Sequence, residues 1–218
     1  MTDKKRTAIL ISGRGSNMRS LVEAARAPEF PADIALVLSN RPDAEGLAFA
    51  KERRLATAAV DHKIHAGRDE FEKTMQVLLD LHRIELICLA GFMRLLTPAF
   101  VKHWEGRILN IHPALLPAYR GLHTHERALA DGIKIHGCTV HFVVPAMDEG
   151  PIIAQAAVAV HDDDTPQSLA ARVLEQEHII YPAALARVAS GACEIRGNKV
   201  VCFGDNGDFA PLRVPQSA

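Results

Sequence analysis

Short apolar runs of strand length alternate with longer segments of helical periodicity along the first half of the chain. The apolar runs lie at 7–12, 34–39, 56–60, 86–91 and 108–111. The segments with helical spacing lie at 16–27, 44–54, 68–83 and 97–103. This alternation predicts an α/β fold with a Rossmann-like, mostly parallel twisted sheet, helices on both faces and right-handed crossovers.

The second half adds two more strands and one long helix. Apolar runs at 138–144 and 152–160 are separated by PAMDEG, a connection that fits either a hairpin or a wider excursion. The long helix that follows has a marked start, with Asp164 and Thr165 as candidate caps and Pro166 in the first turn. The sequence therefore predicts at least seven strands, the last two outside the alternating pattern.

Length and charge indicate one domain that binds a small ligand. The chain has 218 residues, 48% of them apolar, which fits a single domain over 1–218 that ends in a small hairpin turned at Gly197-Asn198 and a frayed tail. Its 25 basic and 26 acidic residues give a net charge of -1 and no field that would gather nucleic acid or a membrane surface. The N-terminal apolar run is too short for a signal peptide, and no run approaches the roughly 20 residues of a membrane helix. We expect a cytoplasmic protein.

The cysteines point to the same compartment. Cys88, Cys138, Cys193 and Cys202 stand singly in apolar runs, without CxxC spacing. Such cysteines are typical of buried free thiols in a reducing environment, and this is what the sequence predicts for all of them.

The stretch ISGRGSNM predicts an anion site. It places Gly13 and Gly15 after the first strand, with Ser16 and Asn17 opening a helix whose backbone N–H groups favour a phosphate. The stretch is not a Walker A loop, since no Gly-Lys-Ser/Thr follows, and Met18 occupies the third glycine position of a dinucleotide fingerprint. A tight turn without a ligand is the competing interpretation.

Three polar residues form a candidate catalytic set. Asn110 and His112 lie two apart at the end of a strand, so their side chains share one face, and Pro113 keeps His112 extended. Asp148 could supply a carboxylate, which favours the imidazolium form and so a general acid near neutral pH. An Asn amide can stabilise a developing oxyanion. The set predicts attack at a carbonyl-type carbon by direct transfer between two substrates, because no nucleophile elbow is present. Unrelated polar residues are the alternative.

Two histidines and one glutamate allow other interpretations. His123 and His125 have a known metal-ligand spacing, but no Cys/His cluster completes a tetrahedral set, and a loop leading to a short helix capped by Thr124 is the alternative. Glu177 falls within an apolar stripe on the long helix and needs a partner, either an arginine or ligand hydroxyls. The stripe consists of Leu169, Ala170, Val173, Leu174, Ile180, Tyr181 and Ala184.

The chain closely resembles the glycinamide ribonucleotide formyltransferase family. The matching stretches, which together cover nearly the whole chain, are LISGRGSNM, LAGFMRLLTPAFV, ILNIHPALLPAYRGLHTHERAL, HGCTVHFV, DEGPIIAQ and ARVLEQEHIIYP. The resemblance implies a formyltransferase-type fold and transfer of a formyl group from the co-substrate 10-formyltetrahydrofolate to the amine of glycinamide ribonucleotide in purine (IMP) synthesis. It implies neither a metal nor a nicotinamide.

The resemblance also implies roles for single positions. The loop that holds the ribonucleotide phosphate corresponds to Gly15, Ser16 and Asn17, and the residue that holds its ribose to Glu177. The folate-binding positions correspond to Arg68, Met93, Arg94, Leu95, Leu96, Asn110, Val144 and Asp148. The catalytic trio corresponds to Asn110, His112 and Asp148.

Some positions and properties stay open. Glu149 stands where the family often has a smaller residue, and no role follows for Arg14, His123 or His125. The rivals are another 10-formyltetrahydrofolate enzyme, such as a hydrolase or a methionyl-tRNA formyltransferase, which would need further chain, and a non-catalytic nucleotide-binding module. A monomer and a homodimer both fit.

Overall fold

The computed structural model describes residues 4–203, which form a seven-stranded sheet, six helices and a separate two-stranded hairpin. The strands of the sheet are β1 (Lys5–Ile11), β2 (Ala32–Ser39), β3 (Thr57–Ala59), β4 (Leu86–Leu89), β5 (Ile108–His112), β6 (Ile135–Phe142) and β7 (Ile152–Ala159). The helices are α1 (Ser16–Ala24), α2 (Glu45–Glu52), α3 (Arg68–Leu81), α4 (Pro98–His103), α5 (Thr124–Ala130) and α6 (Pro166–Ala189). The hairpin strands are β8 (Cys193–Arg196) and β9 (Lys199–Cys202).

The sheet has the order β3-β2-β1-β4-β5-β6-β7 and is mostly parallel, as predicted. All neighbours from β3 to β5 run parallel, whereas β6 and β7 are antiparallel to their neighbours. The PAMDEG connection therefore joins two paired strands, which is the hairpin alternative. α1 ends at Ala24 rather than at 27, because the amides of Arg26 and Ala27 bond carbonyls three residues back, at 3.3 and 3.2 Å.

Helices cover both faces of the sheet and bury one apolar layer on each, which confirms the predicted architecture. One layer receives residues from α1, α2, α5 and α6, among them Met18, Leu47, Ala128 and Val173. The other receives residues from α3 and α4, among them Phe71 and Phe100. Both faces of the central strands are buried, so these strands read as continuous apolar runs.

Strand β5 separates its apolar and polar residues by face. Leu109 and Ile111 pack in the layer beneath α6, so Asn110 and His112 point to the opposite face. The fully buried Tyr181 of α6 lies within hydrogen-bonding distance of the carbonyl oxygens of Leu89 and Leu109, at 3.0 and 3.1 Å from its hydroxyl. This contact fixes α6 to the end of β4 and to the first half of β5.

The cysteine prediction is wrong for half of its residues. Cys88 and Cys138 are buried free thiols, but Cys193 and Cys202 form a disulfide between β8 and β9. They are paired across the hairpin that turns at Gly197, a hairpin that the sequence does predict, and this register brings the two sulfurs together. The predicted frayed tail lies outside the described residues. Within residues 4–203, no helix is long and apolar enough to cross a membrane.

The start of α6 agrees with only part of the predicted capping. Thr165 is the cap, and its hydroxyl accepts a hydrogen bond from the Ser168 amide at 3.1 Å, while Pro166 occupies the first turn. Asp164 instead accepts two hydrogen bonds from Arg172, at 2.7 and 2.9 Å. The same guanidinium donates to the Ala159 carbonyl at 2.9 Å, so this pair ties the end of β7 to α6.

We expect Asp164→Asn to lower the free energy of unfolding by about 2 kcal/mol at pH 7, because it removes a charge-assisted pair whose carboxylate is buried. The hydrogen bonds from Arg172 hold the pKa of Asp164 well below its ordinary value of 3.8. A lowered folded pKa means that the stabilisation is complete above the unfolded pKa and is lost as pH falls through the folded value. Urea unfolding at pH 7 and pH 3 should therefore show a smaller difference from the parent at pH 3. Asp163→Asn, an exposed neighbour, is the matched control and should change little at either pH.

Candidate active site

The glycine loop opens α1 as predicted and forms one wall of a cleft of about 470 Å³. Gly15 is the N-cap residue with a φ of 70°, a left-handed conformation that glycine adopts without steric cost. No side chain caps this helix, and its first turn has no acidic residue, so its N–H groups remain available to a ligand. The cleft is lined by Ser12, Gly13, Arg14, Gly15, Ser16, Asn17, Asn40, Arg41, His62, Ala90, Gly91, Met93 and Arg94.

A chain of hydrogen bonds that the sequence analysis missed supports the floor of this cleft. The Ser12 hydroxyl donates to Asn40 Oδ1 at 2.5 Å and accepts from the Met93 amide at 2.7 Å. Asn40 Nδ2 lies 3.1 Å from Nδ1 of His62. These residues end three separate strands, β1, β2 and β3, or follow them closely, and their convergence depends on the strand order. The polar pair Ser39-Asn40 at a strand end was the available signal.

Glu177 meets an asparagine of the glycine loop rather than an arginine. Its side chain is only 6% exposed, and its Oε2 accepts a hydrogen bond from Asn17 Nδ2 at 2.6 Å. Burial raises the pKa of Glu177, and the hydrogen bond from Asn17 opposes that rise. The arginine alternative is therefore wrong, and a buried carboxylate with a single neutral partner keeps acceptor capacity for ligand hydroxyls.

The predicted trio does come together at the end of β5. His112 Nδ1 lies 3.5 Å from Asp148 Oδ2, and both side chains are nearly buried. Asn110 does not touch Asp148 directly; its Nδ2 lies 3.1 Å from Nε2 of His141, whose Nε2 in turn lies 3.9 Å from Asp148 Oδ1. The set is therefore a quartet in which His141 joins Asn110 to Asp148.

Hydrogen bonds to backbone carbonyls determine the proton positions of both histidines. Nδ1 of His141 donates to the Phe142 carbonyl at 2.9 Å, so its Nε2 accepts from the Asn110 amide. Burial lowers the pKa of His141, which favours this neutral form. Nε2 of His112 donates to the Tyr119 carbonyl at 2.9 Å, which leaves Nδ1 beside Asp148. One amide hydrogen of Asn110 stays available to a ligand.

No role for His141 follows from the periodicity of the sequence, although its position in the sheet carries a signal. It lies directly opposite Asn110 in the antiparallel register of β5 and β6, and Thr139 lies opposite His112. A pairing of these two strands would have identified it, but register between sequentially distant strands cannot be read from a single sequence.

The position of Asp148 depends on two backbone constraints. Its φ is 55°, in the left-handed region that aspartate tolerates better than most residues, and its Oδ2 accepts from the Gly121 amide at 2.8 Å. Two residues on, a Cβ at Gly150 would lie 1.7 Å from the Phe142 carbonyl oxygen, so only glycine fits. The adjacent Glu149 forms an ion pair with Arg120.

Only some of the predicted folate-binding residues at positions 93–96 line the cleft. Met93 and Arg94 line the cleft, and Leu95 is 64% exposed, whereas Leu96 packs partly into the core. The buried Glu72 of α3 anchors this segment by accepting from the Thr97 amide at 2.7 Å.

Two more of these residues lie apart from the cleft. Arg68 is exposed at the start of α3, and it does not line the cleft. Val144 lies half-buried in the connection between β6 and β7. The structure therefore does not bring these two to the glycine loop.

The histidines at 123 and 125 form no metal centre with other residues of the described chain, where no cluster of three or more potential ligands occurs. His123, not Thr124, is the N-cap residue of α5, with a φ of 57° and no side-chain hydrogen bond, so the predicted cap is wrong by one position. The His125 ring stacks edge-on against the buried His136, at 5.3 Å between centroids. Burial lowers the pKa of His136 to about 4, so this pair is neutral.

A glycine loop at a helix N-terminus lies beside a quartet of acid–base side chains at the carboxyl edge of a Rossmann-like sheet, an arrangement typical of enzymes that bind small anionic ligands. The two parts are adjacent, because Leu89 pairs with Asn110 and the following residues, Ala90 and Gly91, line the cleft.

The chain belongs to the formyl transferase family, whose sequence pattern it matches over residues 5–185. It is 41% identical over 190 residues to the phosphoribosylglycinamide formyltransferase of Escherichia coli strain K12, covering 87% of this chain and 90% of that protein. A solved phosphoribosylglycinamide formyltransferase from Brucella melitensis is 52% identical, with a TM-score of 0.83 over 87% of this chain and 97% of that one. The trifunctional purine biosynthetic protein adenosine-3 of Gallus gallus is 46% identical over 202 residues, but the chain spans only 20% of its length.

We expect Gly150→Ala to lower the free energy of unfolding by about 2 kcal/mol or more, because the new methyl group would force the Asp148 connection away from β6. Urea unfolding measures this change. Gly67→Ala is the control, since Gly67 has an extended backbone and open space around the added Cβ. Equal stability of the two variants would contradict the close approach at Gly150.

Proposed function

We propose that the chain transfers the formyl group of 10-formyltetrahydrofolate to the amine of glycinamide ribonucleotide, a step of de novo purine synthesis. The single observation that carries this proposal is the quartet of Asn110, His112, Asp148 and His141 beside an open helix N-terminus, in a chain of the formyl transferase family. Two relatives that the chain covers over most of their length are named phosphoribosylglycinamide formyltransferases, which supports glycinamide ribonucleotide as the acceptor of the formyl group.

The ribonucleotide occupies the cleft in this proposal. Its phosphate binds the N–H groups of Gly15, Ser16 and Asn17, where the helix dipole favours an anion. Its ribose hydroxyls donate to Glu177, whose carboxylate has spare acceptor capacity behind the loop. The glycinamide amine then extends along the sheet edge towards Asn110.

The folate enters from the side of the exposed apolar segment. Met93 and Leu95 are 68% and 64% exposed, which is unusual for large apolar residues and fits contact with an aromatic ligand. The remaining positions that we assign to folate are Arg68, Arg94, Leu96, Asn110, Val144 and Asp148. Neither a metal nor a nicotinamide has a part in this chemistry.

The chemistry is a direct acyl transfer. The substrate amine attacks the formyl carbon, a new C–N bond forms, and the carbonyl oxygen becomes an oxyanion that Asn110 stabilises by hydrogen bonding and the protonated His112 by its charge. Asp148 accepts a hydrogen bond from the Nδ1–H of the imidazolium, and through water it takes up the proton that the amine loses and passes it to N10. The tetrahedral intermediate collapses with cleavage of the bond to N10 of the folate, which takes up a proton as tetrahydrofolate leaves.

A cytoplasmic location and a monomeric or homodimeric state stay predictions from the sequence. A hydrolase that passes the same formyl group to water is the second candidate, and the ribonucleotide cleft favours the transferase over it, because a hydrolase has no need of a phosphate site.

The proposal predicts formyl transfer by the purified protein and its loss in His112→Ala. Removal of the imidazolium should lower kcat by about 100-fold or more, since it takes away both a proton donor and the charge facing the oxyanion. Spectrophotometric release of tetrahydrofolate product measures the rate. The proposal fails if the parent protein binds both substrates and transfers nothing.

Asp148→Asn extends this test as a variant of similar shape. It should lower kcat strongly and leave the affinity for the ribonucleotide nearly unchanged, because Asp148 contacts His112 and not the glycine loop. A large loss of ribonucleotide binding in this variant would contradict the role assigned to it.

We expect Glu177→Gln to raise the KM for glycinamide ribonucleotide about tenfold without lowering the melting temperature at pH 7. The raised pKa of Glu177 means that its contribution to stability is greatest below the unfolded pKa and declines as pH rises through the folded pKa. The carboxylate is therefore not a source of stability at neutral pH, and glutamine can still accept from Asn17. Thermal melts and initial rates check both parts, and a lower melting temperature with an unchanged KM would indicate a structural role instead.

A further inference from the structure

Arg14 lies in the middle of the glycine loop and has no task in the chemistry described above. Its side chain is exposed and forms part of the cleft lining, between Gly13 and Gly15. It forms no ion pair with any carboxylate of residues 4–203. A cation at the edge of an anion site, with its charge uncompensated by any residue from 4 to 203, is available to a ligand.

The charges around the cleft single out Arg14. Three arginines and no carboxylate line it within the described chain. Arg41 is already occupied, since its Nε and Nη2 donate to Asp43 at 3.1 and 2.7 Å. Arg94 belongs to the segment on the folate side of the cleft. Of the three arginines, Arg14 is therefore the one that lies next to the N-terminus of α1 and forms no ion pair within residues 4–203.

The loop itself does not supply enough positive charge for a phosphate monoester. Such a group carries a charge of about −1.5 to −2 at pH 7, whereas a helix N-terminus provides the equivalent of about +0.5. The first turn of α1 contains no other basic side chain apart from Arg19, which lies over the Phe49 ring at 4.7 Å and does not line the cleft. A guanidinium can add two parallel charge-assisted hydrogen bonds to phosphate oxygens.

A second, independent observation points to a ligand at this helix N-terminus. Asn17 is only 8% exposed and lines the cleft, and its buried Oδ1 has no hydrogen-bond partner in the described structure. Its Nδ2 is held by Glu177, so the amide orientation is set by the protein. A ligand with an anionic group and hydroxyl groups can accept hydrogen bonds from the N–H groups of the loop and donate one to Asn17 Oδ1.

We infer that Arg14 binds the phosphate of the ribonucleotide and thereby sets the affinity of the site for a phosphorylated substrate. This role rests on the function proposed above and adds to it a substrate contact at a position where the family resemblance assigns none. Arg14 acts on binding and not on the reacting atoms, so its effect belongs to the ribonucleotide Kd and KM rather than to kcat.

Calorimetric titration of glycinamide ribonucleotide into the protein without folate tests the contact directly. Arg14→Ala should raise the Kd about tenfold, and Arg14→Lys by a smaller factor, because lysine keeps the charge but loses the planar fork. The difference between the parent and Arg14→Ala should shrink at high salt, since the contact is exposed. Inorganic phosphate should compete with the ribonucleotide less effectively in Arg14→Ala.

Arg19→Ala is the matched control, because it removes the same charge from the first turn of α1, close to the loop but outside the cleft. It should leave the Kd within about twofold of the parent value. Kinetic assays then separate the substrates: Arg14→Ala should raise the KM for the ribonucleotide and leave kcat and the KM for the folate unchanged.

The outcomes distinguish this inference from the proposed function. If the parent protein binds the ribonucleotide and transfers the formyl group, but Arg14→Ala binds equally well, the role of Arg14 is overturned and the function stands. A rise in the folate KM alone would also overturn it, by assigning Arg14 to the other substrate. If the parent protein does not bind the ribonucleotide at all, both the function and the role of Arg14 fall.

Discussion

The candidate active site depends on the position of β5, which pairs in parallel with β4 on one side and antiparallel with β6 on the other. The parallel pairing brings the end of β5 to the same edge as the glycine loop, which follows β1. The antiparallel pairing brings His141 opposite Asn110 and lets the chain return through Asp148. Tyr181 of α6 links β4 and β5 from the helix side of the sheet, because its hydroxyl contacts the carbonyls of both Leu89 and Leu109. If β6 ran parallel to β5 instead, its residues would pair with β5 in the reverse order. His141 would then not lie opposite Asn110, and the quartet would not form.

The same edge collects polar groups that the protein interior would otherwise disfavour. His112, His141 and Glu177 are nearly buried, and burial of a polar group is unfavourable unless it has a hydrogen-bond partner. Each of the three has one: the Tyr119 carbonyl, the Phe142 carbonyl and the Asn17 amide, respectively. Two of these partners are backbone carbonyls and the third is a side-chain amide. All three are neutral, so they determine the orientation of the buried side chains without adding charge. The remaining acceptors and donors, such as Asn17 Oδ1 and the second amide hydrogen of Asn110, have no hydrogen-bond partner within residues 4–203 and are available to a ligand.

Much of the fold could be predicted from the sequence, and the structure brings the predicted residues Asn110, His112 and Asp148 close together. The alternation of apolar runs and helical segments is a local property, so it identified the strands, the helices and the glycine loop. The period of two placed Asn110 and His112 on one face of β5. The disulfide, the partner of Glu177 and the hydrogen bonds of Ser12, Asn40 and His62 were missed, because each joins residues whose proximity depends on strand order or register. Cys193 and Cys202 are the instructive case: the hairpin was predicted, but pairing the two sulfurs also required its register.

The sequence by itself determined the class of fold, the glycine loop, the face on which the catalytic candidates lie and the resemblance to a formyl transferase family. These follow from local periodicity, backbone preferences and the order of short motifs along the chain. Only the tertiary structure decided that His141 completes the quartet, that Glu177 bonds Asn17 rather than an arginine, and that Arg14 keeps its charge uncompensated while Arg41 does not. The physical reason is that hydrogen bonds and ion pairs act over about 3 Å, and only the folded chain determines which distant residues come within that distance.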